Sequence, residues 1–263
     1  MSTDRNRYLA HLTDDEEHRI GARMLDLAEA ALQKGQPQAS DFLDPHQRQI
    51  AAGVLGALPD VDYRAYGGYP KAERQRVLVY PSYYLTELLE SPLRAVELRG
   101  EFGYVEVSHR DFLGACLATG LKRERIGDLI LIPGGCQIVL TPEALPVILS
   151  QLDAVHRVPV QVTEIDIEQL MVEPERVKEM RTTVASLRLD AVAAFGFGMS
   201  RTKMVREIKG ERLKVNWKLV TDPAHPVAEG DVLSMRGRGR VTIMQITGQT
   251  RKGRIALVLQ RTF

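Results

Sequence analysis

The sequence has 263 residues, and its 44% hydrophobic and 26% charged content is typical of a globular protein that can bury a core. It contains no apolar run of membrane-spanning length and begins with polar and charged residues, so it predicts neither a membrane span nor a secretory signal. Cys116 and Cys136 lack a metal-ligand spacing, and we interpret them as reduced core thiols of a cytoplasmic protein. We expect no metal site and no cofactor.

The net charge of +1 conceals a strong charge polarity along the chain. Residues 181–263 hold sixteen Lys and Arg against six Asp and Glu, a balance of +10, whereas residues 1–180 hold 19 against 28, a balance of −9. A basic C-terminal third with a folded, non-repetitive pattern indicates a nucleic-acid partner ahead of a membrane or an acidic protein.

Two helices are predicted in a small helical N-terminal unit, residues 1–74. The first covers residues 14–35, because acidic residues crowd its first turn and Gly35 can cap its end. The second starts with Asp44 as N-cap and Pro45 as first helical residue, and it runs to Leu58.

A Gly67-Gly68 turn followed by Tyr69, Lys71 and Arg74 forms the first candidate RNA-binding stretch. Glycine lets the backbone approach a partner closely, and an aromatic ring and cations follow it. A surface turn between two domains explains the same pattern, and the sequence leaves both interpretations open.

The pattern becomes α+β in a central domain predicted at residues 75–164. Short strands are predicted at 77–80, 95–99, 104–107, 128–132, 136–140 and 158–162, and helices at 109–119, capped by Ser108, and at 142–152. From residue 95 or 104 onward the order is βαββαβ, that of a ferredoxin-like or RNA-recognition (RRM-like) fold. The base-stacking aromatics of RNA-recognition domains are absent from residues 136–140, so we do not expect that mode of base readout.

The central domain also contains a candidate phosphate site at a helix N-terminus. His109, Arg110 and Asp111 are adjacent, and helical neighbours point about 100° apart, so they do not converge as a catalytic triad. We expect Arg110 to bind phosphate and Asp111 to cap the helix or to pair with a loop cation, while His109 is either structural or functional. The secondary RNA-binding candidates here are His109, Arg110, Lys122, Arg123 and Arg125.

After a linker predicted at residues 165–180, the C-terminal domain (181–263) reads as helix, glycine-containing turn, helix and strand. Ser200 is the expected N-cap of the second helix and Gly210 its expected left-handed C-cap. Opposite an apolar arc this helix carries Lys203, Arg206 and Lys209. The strand predicted at 213–218 alternates apolar residues with Arg212, Lys214, Asn216 and Lys218. A charge run is usually a solvated face, but two consecutive basic faces favour a phosphate-binding surface.

Several motifs of this segment resemble the small alpha-L RNA-binding domain of ribosomal-protein-S-four type. They are Arg-Leu-Asp at 188–190, Gly-Phe-Gly-Met-Ser-Arg at 196–201, Ile-Lys-Gly at 208–210, Val-Asn-Trp at 215–217 and Glu-Gly-Asp-Val-Leu at 229–233. The domain also occurs in some pseudouridine synthases and tyrosyl-tRNA synthetases. By resemblance and charge, the RNA-binding candidates are Arg188, Ser200, Arg201, Lys203, Arg206, Lys209, Lys214, Asn216, Trp217, Arg236 and Arg238.

Trp217 departs from the pattern, since many members of that family have glycine there. Tryptophan cannot supply the easy positive φ of glycine. It either stacks on a base or ribose, or it belongs to the core, and the sequence leaves both open.

Four motifs of the first two domains are similar to the bacterial YlmH family: Gly-Gly-Tyr at 67–69 with Ala-Glu-Arg at 72–74, His-Arg-Asp-Phe-Leu-Gly-Ala at 109–115, Lys-Arg-Glu-Arg-Ile-Gly-Asp at 122–128 and Gly-Gly-Cys-Gln at 134–137. The resemblance implies an N-terminal unit, an RNA-recognition-like domain and an S-four-type domain, in that order. It also implies an RNA-binding factor of the large ribosomal subunit, acting on subunits that retain peptidyl-tRNA after stalling. Photosynthetic lineages label the family photosystem II S-four-domain protein.

We therefore expect a monomeric, cytoplasmic, non-enzymatic protein that docks on large-subunit ribosomal RNA, with tRNA contacts, in translation or ribosome-associated quality control. One alternative is an RNA-modifying enzyme or accessory factor, although pseudouridine synthases need a large catalytic domain for which this chain lacks room. Another is a protein scaffold for the assembly of photosystem or other membrane complexes.

Overall fold

The computed structural model describes residues 2–103, 105–174, 176–251 and 253–262. The chain divides into two compact units, Met1–Val172 and Glu173–Phe263. The first begins with the helices α1 (Ser2–Leu9), α2 (Asp15–Lys34) and α3 (Pro45–Leu55) and the strands β1 (Gln38–Leu43), β2 (Val61–Tyr66) and β3 (Gln75–Pro81).

Local capping sets the ends of the two predicted N-terminal helices. The Asp14 carboxylate accepts a hydrogen bond from the Glu17 N–H at 2.8 Å, and Gly35 closes α2 with a φ of +63°. Asp44 and Gln47 form a reciprocal capping box at the start of α3. This helix ends at Leu55, before the predicted Leu58, because residues 56–58 turn away from it.

The N-terminal part also contains an antiparallel sheet, in the order β1-β3-β2, that the prediction of a helical unit did not include. Its apolar side packs under α2 and α3. β3 covers the strand predicted at 77–80, and it pairs on both sides within this sheet although the predicted boundary at residue 75 assigns it to the central domain.

The central part of the first unit has the predicted βαββαβ order, with one additional two-residue strand before the last strand. It comprises β4 (Arg94–Gly100), α4 (His109–Ala118), β5 (Ile126–Ile132), β6 (Gly135–Leu140), α5 (Leu145–Gln151), β7 (Ala154–Val155) and β8 (Val158–Ile165). The antiparallel sheet has the order β5-β6-β4-β8-β7, with α4 and α5 over one face, which is a ferredoxin-like topology.

The strand predicted at 104–107 is wrong for residues 105–107, and Tyr104 lies outside the described residues. The chain turns here instead, since the Val105 N–H donates to the Phe102 carbonyl at 2.7 Å. Phe102 is buried, with its ring against Phe112 at a centroid distance of 5.5 Å, so this segment contributes to the core without joining the sheet.

The second unit places two helices on one face of an antiparallel sheet. Its elements are β9 (Val177–Val184), α6 (Leu189–Gly196), α7 (Arg201–Lys209), β10 (Leu213–Val215), β11 (Lys218–Leu219), β12 (Val232–Met235), β13 (Gly239–Gln249) and β14 (Ile255–Thr262). The strand order is β11-β10-β12-β13-β14-β9. The segment predicted as a linker at 165–180 thus contains the start of β9, which pairs with β14.

Two local predictions in this unit are wrong. Gly210 has a φ of −84°, and the left-handed residue after α7 is Glu211, with a φ of +58°. The strand predicted at 213–218 ends at Val215, because Asn216 and Trp217 form a two-residue turn into β11 with φ values of +48° and +66°.

Candidate RNA-binding surface

The junction of α6 and α7 is organised by a buried carboxylate. Only 4% of the Asp190 side chain is exposed, and it accepts hydrogen bonds from Arg201 Nε and Nη2 at 3.0 Å each. Arg188 Nε and Nη2 approach the same carboxylate at 3.2 and 3.3 Å. The two arginine side chains are 40% and 55% exposed. Arg188 and Arg201 therefore hold the helix pair together and still reach solvent.

The ionisation of Asp190 follows from these contacts. Burial by itself raises the pKa of Asp190, but the hydrogen bonds and positive charges of Arg188 and Arg201 outweigh it, and the pKa lies below its usual value. Because the pKa is lower in the folded state, the ion pair stabilises the fold above the unfolded pKa of about 3.9 and this stabilisation is lost as pH falls through the folded value.

We expect Asp190→Asn to destabilise the second unit by about 2–3 kcal/mol, which is less than the roughly 3–5 kcal/mol for a fully buried ion pair because both arginines are partly exposed. Thermal melts between pH 3 and pH 7 test this. The difference in stability between the variant and the wild type should be largest at pH 7 and should decrease towards pH 3. A variant as stable as the wild type at pH 7 would contradict this role for the carboxylate.

The exposed side of α7 carries three cations. Met204 and Ile208 are fully buried against the sheet, while Lys203, Arg206 and Lys209 are exposed, which confirms the predicted two-sided helix. At the start of α7 the exposed Ser200 accepts a hydrogen bond from the Lys203 N–H at 3.3 Å, as predicted for its N-cap. The arrangement offers phosphate groups three solvated cations along one helix.

The cations of the sheet lie elsewhere in the unit. Leu213 and Val215 are buried beneath the helices, so the exposed Lys214 between them points to the opposite face of the sheet. The cations of α7 and Lys214 of β10 consequently lie on opposite sides of the unit. Arg236 and Arg238 are exposed in the turn between β12 and β13, beside the start of β10, because Met235 pairs with Leu213.

The two side chains of the Asn216-Trp217 turn differ in their environment, since that of Asn216 makes internal hydrogen bonds and that of Trp217 is partly exposed. Asn216 donates through Nδ2 to Asp231 Oδ1 at 2.8 Å and accepts from the Val232 N–H at 2.9 Å, so its amide fastens the hairpin internally. Trp217 is half-buried at a positive φ that costs a non-glycine residue roughly 1 kcal/mol. Part of the Trp217 side chain is therefore open to solvent, and part of it is covered by the fold.

We expect Trp217→Gly to lower the free energy of unfolding by about 1–2 kcal/mol, since relief of backbone strain offsets only part of the packing lost with the half-buried indole and of the entropy of glycine. RNA affinity should fall by about 1–3 kcal/mol, the value of one base–aromatic stack. Filter binding and thermal melts measure the two effects, with Trp217→Phe as the control that keeps a ring. Strong destabilisation at unchanged affinity would assign Trp217 to the core.

In the first unit, the sheet face that RNA-recognition domains expose is covered by the chain itself. Phe42, Leu93 and Val139 are buried there, with Ile167 and Leu170 packed against them. Gln137, in the middle of β6, donates to Glu97 Oε2 at 2.8 Å and accepts from the Met171 N–H at 2.7 Å. RNA cannot stack on this face while these contacts persist.

A second carboxylate, Asp128, engages two of the secondary candidates. It accepts hydrogen bonds from the Tyr69 hydroxyl and the Glu73 N–H at 2.7 Å each and from the Arg74 N–H at 3.0 Å. The Arg74 guanidinium donates to the carbonyls of Ile126 and Phe42 at 3.2 and 3.0 Å. Tyr69 and Arg74 thus join the Gly67-Gly68 turn to β5, and Gly67 is needed because a Cβ there would come within 2.5 Å of Ala72 and of the Arg74 carbonyl.

The remaining secondary candidates differ in exposure. Arg123 is half-buried and donates to the carbonyls of Ile126 and Gly127, and burial lowers its pKa to about 10. Arg125 lies 3.3 Å from Asp41 and 3.4 Å from Glu143. Lys71, Arg110 and Lys122 are exposed.

The N-terminus of α4 contains a side-chain contact that the sequence did not predict. Asp111 accepts hydrogen bonds from the Ser108 N–H and hydroxyl at 2.8 and 2.7 Å, which confirms its capping role, and its Oδ1 lies 2.9 Å from His156 Nε2. His109 lies at the surface, yet the protein around its ring and the positive charge of Arg123 lower its pKa.

Asp128 and Asp190 are the residues that sequence analysis underrated. Both carboxylates lie within the family motifs, but the sequence pattern alone assigned neither of them a structural role. The available signal was a charged residue inside an apolar segment, close in sequence to arginines.

In the described part of the chain, no helix combines the length and apolarity needed to cross a membrane. Cys116 and Cys136 are buried free thiols, and burial raises the pKa of Cys116 to about 12.

Comparison with known proteins agrees with this organisation. The model of the YlmH N-terminal region matches residues 16–84, the "Putative RNA-binding domain in YlmH" matches residues 91–169, and the S4 domain matches residues 187–233. A solved structure, "Cell division protein ylmH from Streptococcus pneumoniae", has a TM-score of 0.50 at 20% identity, covers 60% of this chain and 95% of its own, and supports the fold alone.

A curated relative extends the similarity over most of the sequence. The "Ribosome-associated protein quality control protein P2" of Bacillus subtilis (strain 168) is 37% identical over 222 residues, which are 84% of this chain and 86% of the relative. The expected resemblance is thereby confirmed, and the chain belongs to the YlmH family.

Proposed function

We propose that this protein is a non-enzymatic RNA-binding factor that docks on ribosomal RNA of the large subunit and contacts tRNA, in translation or ribosome-associated quality control. The observation that carries the proposal is the similarity over 84% of the chain to a relative named for ribosome-associated quality control. The cytoplasm is the corresponding location, and a monomer is the form we propose.

The geometry that supports RNA binding is the exposed basic side of α7. Lys203, Arg206 and Lys209 are solvated, and so they can replace condensed counterions at phosphates without breaking internal contacts. The partly exposed Arg188 and Arg201 lie at the N-terminal end of the helix pair and can contribute, although the fold also needs them.

Ultraviolet cross-linking in cells, followed by sequencing of the attached RNA, tests the proposed partners. We expect cross-links to large-subunit ribosomal RNA and to tRNA. Cross-links confined to messenger or small-subunit RNA would contradict the docking site. A mass-spectrometric comparison of RNA from cells with and without the protein tests the absence of catalysis, and the loss of a modified nucleotide would contradict it.

A further inference from the structure

Most of the positive charge of the second unit lies outside the part that matches the S4 domain. Residues 187–233, the matched part, hold eight Lys and Arg against six Asp and Glu. Residues 234–263 hold seven Lys and Arg and no acidic residue. The net charge is therefore +2 in the matched part and +7 in the following thirty residues.

Most of the described cations of this segment lie in two turns, one before and one after the long strand β13. Arg236 and Arg238 are exposed before β13, and Arg251 is exposed in the turn after it. β13 has 11 residues, so the turns lie roughly 30 Å apart. Gly237, with a φ of +75°, keeps the first turn free of a side chain between its two arginines.

Two other arginines of the segment have internal roles. Arg254 donates from Nε to the Thr183 hydroxyl at 2.9 Å and from Nη2 to the Thr183 carbonyl at 2.5 Å. Arg261 lies 5.8 Å from the centre of the Phe197 ring. Among the described residues, by contrast, no side-chain hydrogen bond or ion pair joins Arg236, Arg238 or Arg251 to the fold.

The outer face of the sheet connects the first turn with Lys214. The strand register aligns Lys214 with Ser234 and Ser234 with Arg240, in a row across β10, β12 and β13. Val241 and Ile243 are buried towards the helices, so Arg240 points to the same outer face as Lys214. This row contains no acidic residue.

A solvated protein surface ordinarily intersperses both signs of charge, and a large field of one sign serves to attract an opposite charge. We propose that the turn at 236–238 and Arg251, with the outer sheet face that carries Lys214 and Arg240, form a second RNA-phosphate-binding surface that is distinct from the exposed side of α7. This inference rests on the proposed function in taking RNA as the ligand. It accounts for the placement of Lys214 on the sheet face opposite to the helices.

The test compares the full-length protein with the variant Arg236→Gln/Arg238→Gln/Arg251→Gln, called the turn variant. A control, Arg19→Gln/Arg23→Gln/Arg64→Gln, removes the same charge from exposed positions of the first unit. Binding is measured from 50 to 300 mM salt, to deproteinised large-subunit RNA and to intact large subunits. Melting temperatures confirm that each variant folds.

On deproteinised RNA, the turn variant should flatten the log–log salt slope by about 2–3, at about 0.7–0.9 per lost phosphate contact, while the control keeps the wild-type slope. An unchanged slope for the turn variant would overturn the inference, as would an equal change in the control.

Intact subunits separate this inference from the proposed function. If the wild type binds free RNA through the turns but does not bind large subunits, the second surface stands and the proposed docking fails. If the turn variant binds both targets like the wild type, the proposed docking stands and the second surface fails. If the wild type binds neither target, both fail.

Discussion

Replacing Lys203, Arg206 and Lys209 together by glutamine is expected to lower RNA affinity by about 100-fold or more at 0.1 M salt and to flatten the log–log salt slope by about 2–3. The reason is that each exposed cation releases counterions when it contacts a phosphate. Glutamine retains helix propensity and can cover the same surface, so α7 should stay folded. Filter binding to large-subunit RNA over a salt series measures both quantities.

The matched control for this variant is the first-unit triple substitution of Arg19, Arg23 and Arg64, which makes the same change in net charge. Arg201 is left out of the experiment, because its loss would unpair the buried Asp190 and mix folding with binding. A salt slope equal to that of the wild type would remove the exposed side of α7 from the RNA interface.

Asp128→Ala is expected to destabilise the first unit by about 3–4 kcal/mol. The substitution leaves the Tyr69 hydroxyl and the backbone N–H groups of Glu73 and Arg74 without their shared acceptor. It also removes the negative charge near Arg74 and Arg123, whose pKa values burial already lowers. Urea denaturation followed by circular dichroism measures the loss.

Asp153→Ala is the matched control, since Asp153 is exposed in the same unit and its loss should change stability by less than about 0.5 kcal/mol. Equal stability of the two variants would contradict a structural role for Asp128. If the Asp128 variant instead stays stable and loses RNA binding, the result would support the prediction that Tyr69 and Arg74 contact RNA.

Three helix starts and the end of α2 could be predicted from the sequence because their caps are local, whereas the ends of α3 and α7 could not. Asp14, Asp44 and Ser200 each cap a helix through a contact with a residue three positions on, and Gly35 adopts the left-handed conformation for which glycine is suited. The βαββαβ order was also readable, because alternation and turn residues mark its strands. The N-terminal sheet was missed because β2 buries only Val61 fully and carries little periodicity.

The candidate site was predictable as a set of cations but not as a surface. Asp128 reaches Tyr69 and Arg74 across 59 and 54 positions of the sequence, and no local pattern reports such a contact. The turn at Asn216-Trp217 could not be predicted from the sequence, because tryptophan is not a typical turn residue. The pairing of β10 with β11 imposes the positive φ of Trp217. Strand alternation predicts on which face of the sheet Lys214 lies. Only the packing of α7 on the sheet shows that the cations of α7 point away from that face.

Sucrose-gradient fractionation of a native lysate, with and without ribonuclease, tests the central claim most directly. The protein is followed by antibody, at low salt and at 0.3 M salt. We expect it to comigrate with free large subunits at low salt, to leave them at high salt, and to move to the top of the gradient after ribonuclease. Protein found only at the top of the gradient, even at low salt without ribonuclease, would contradict docking on the large subunit.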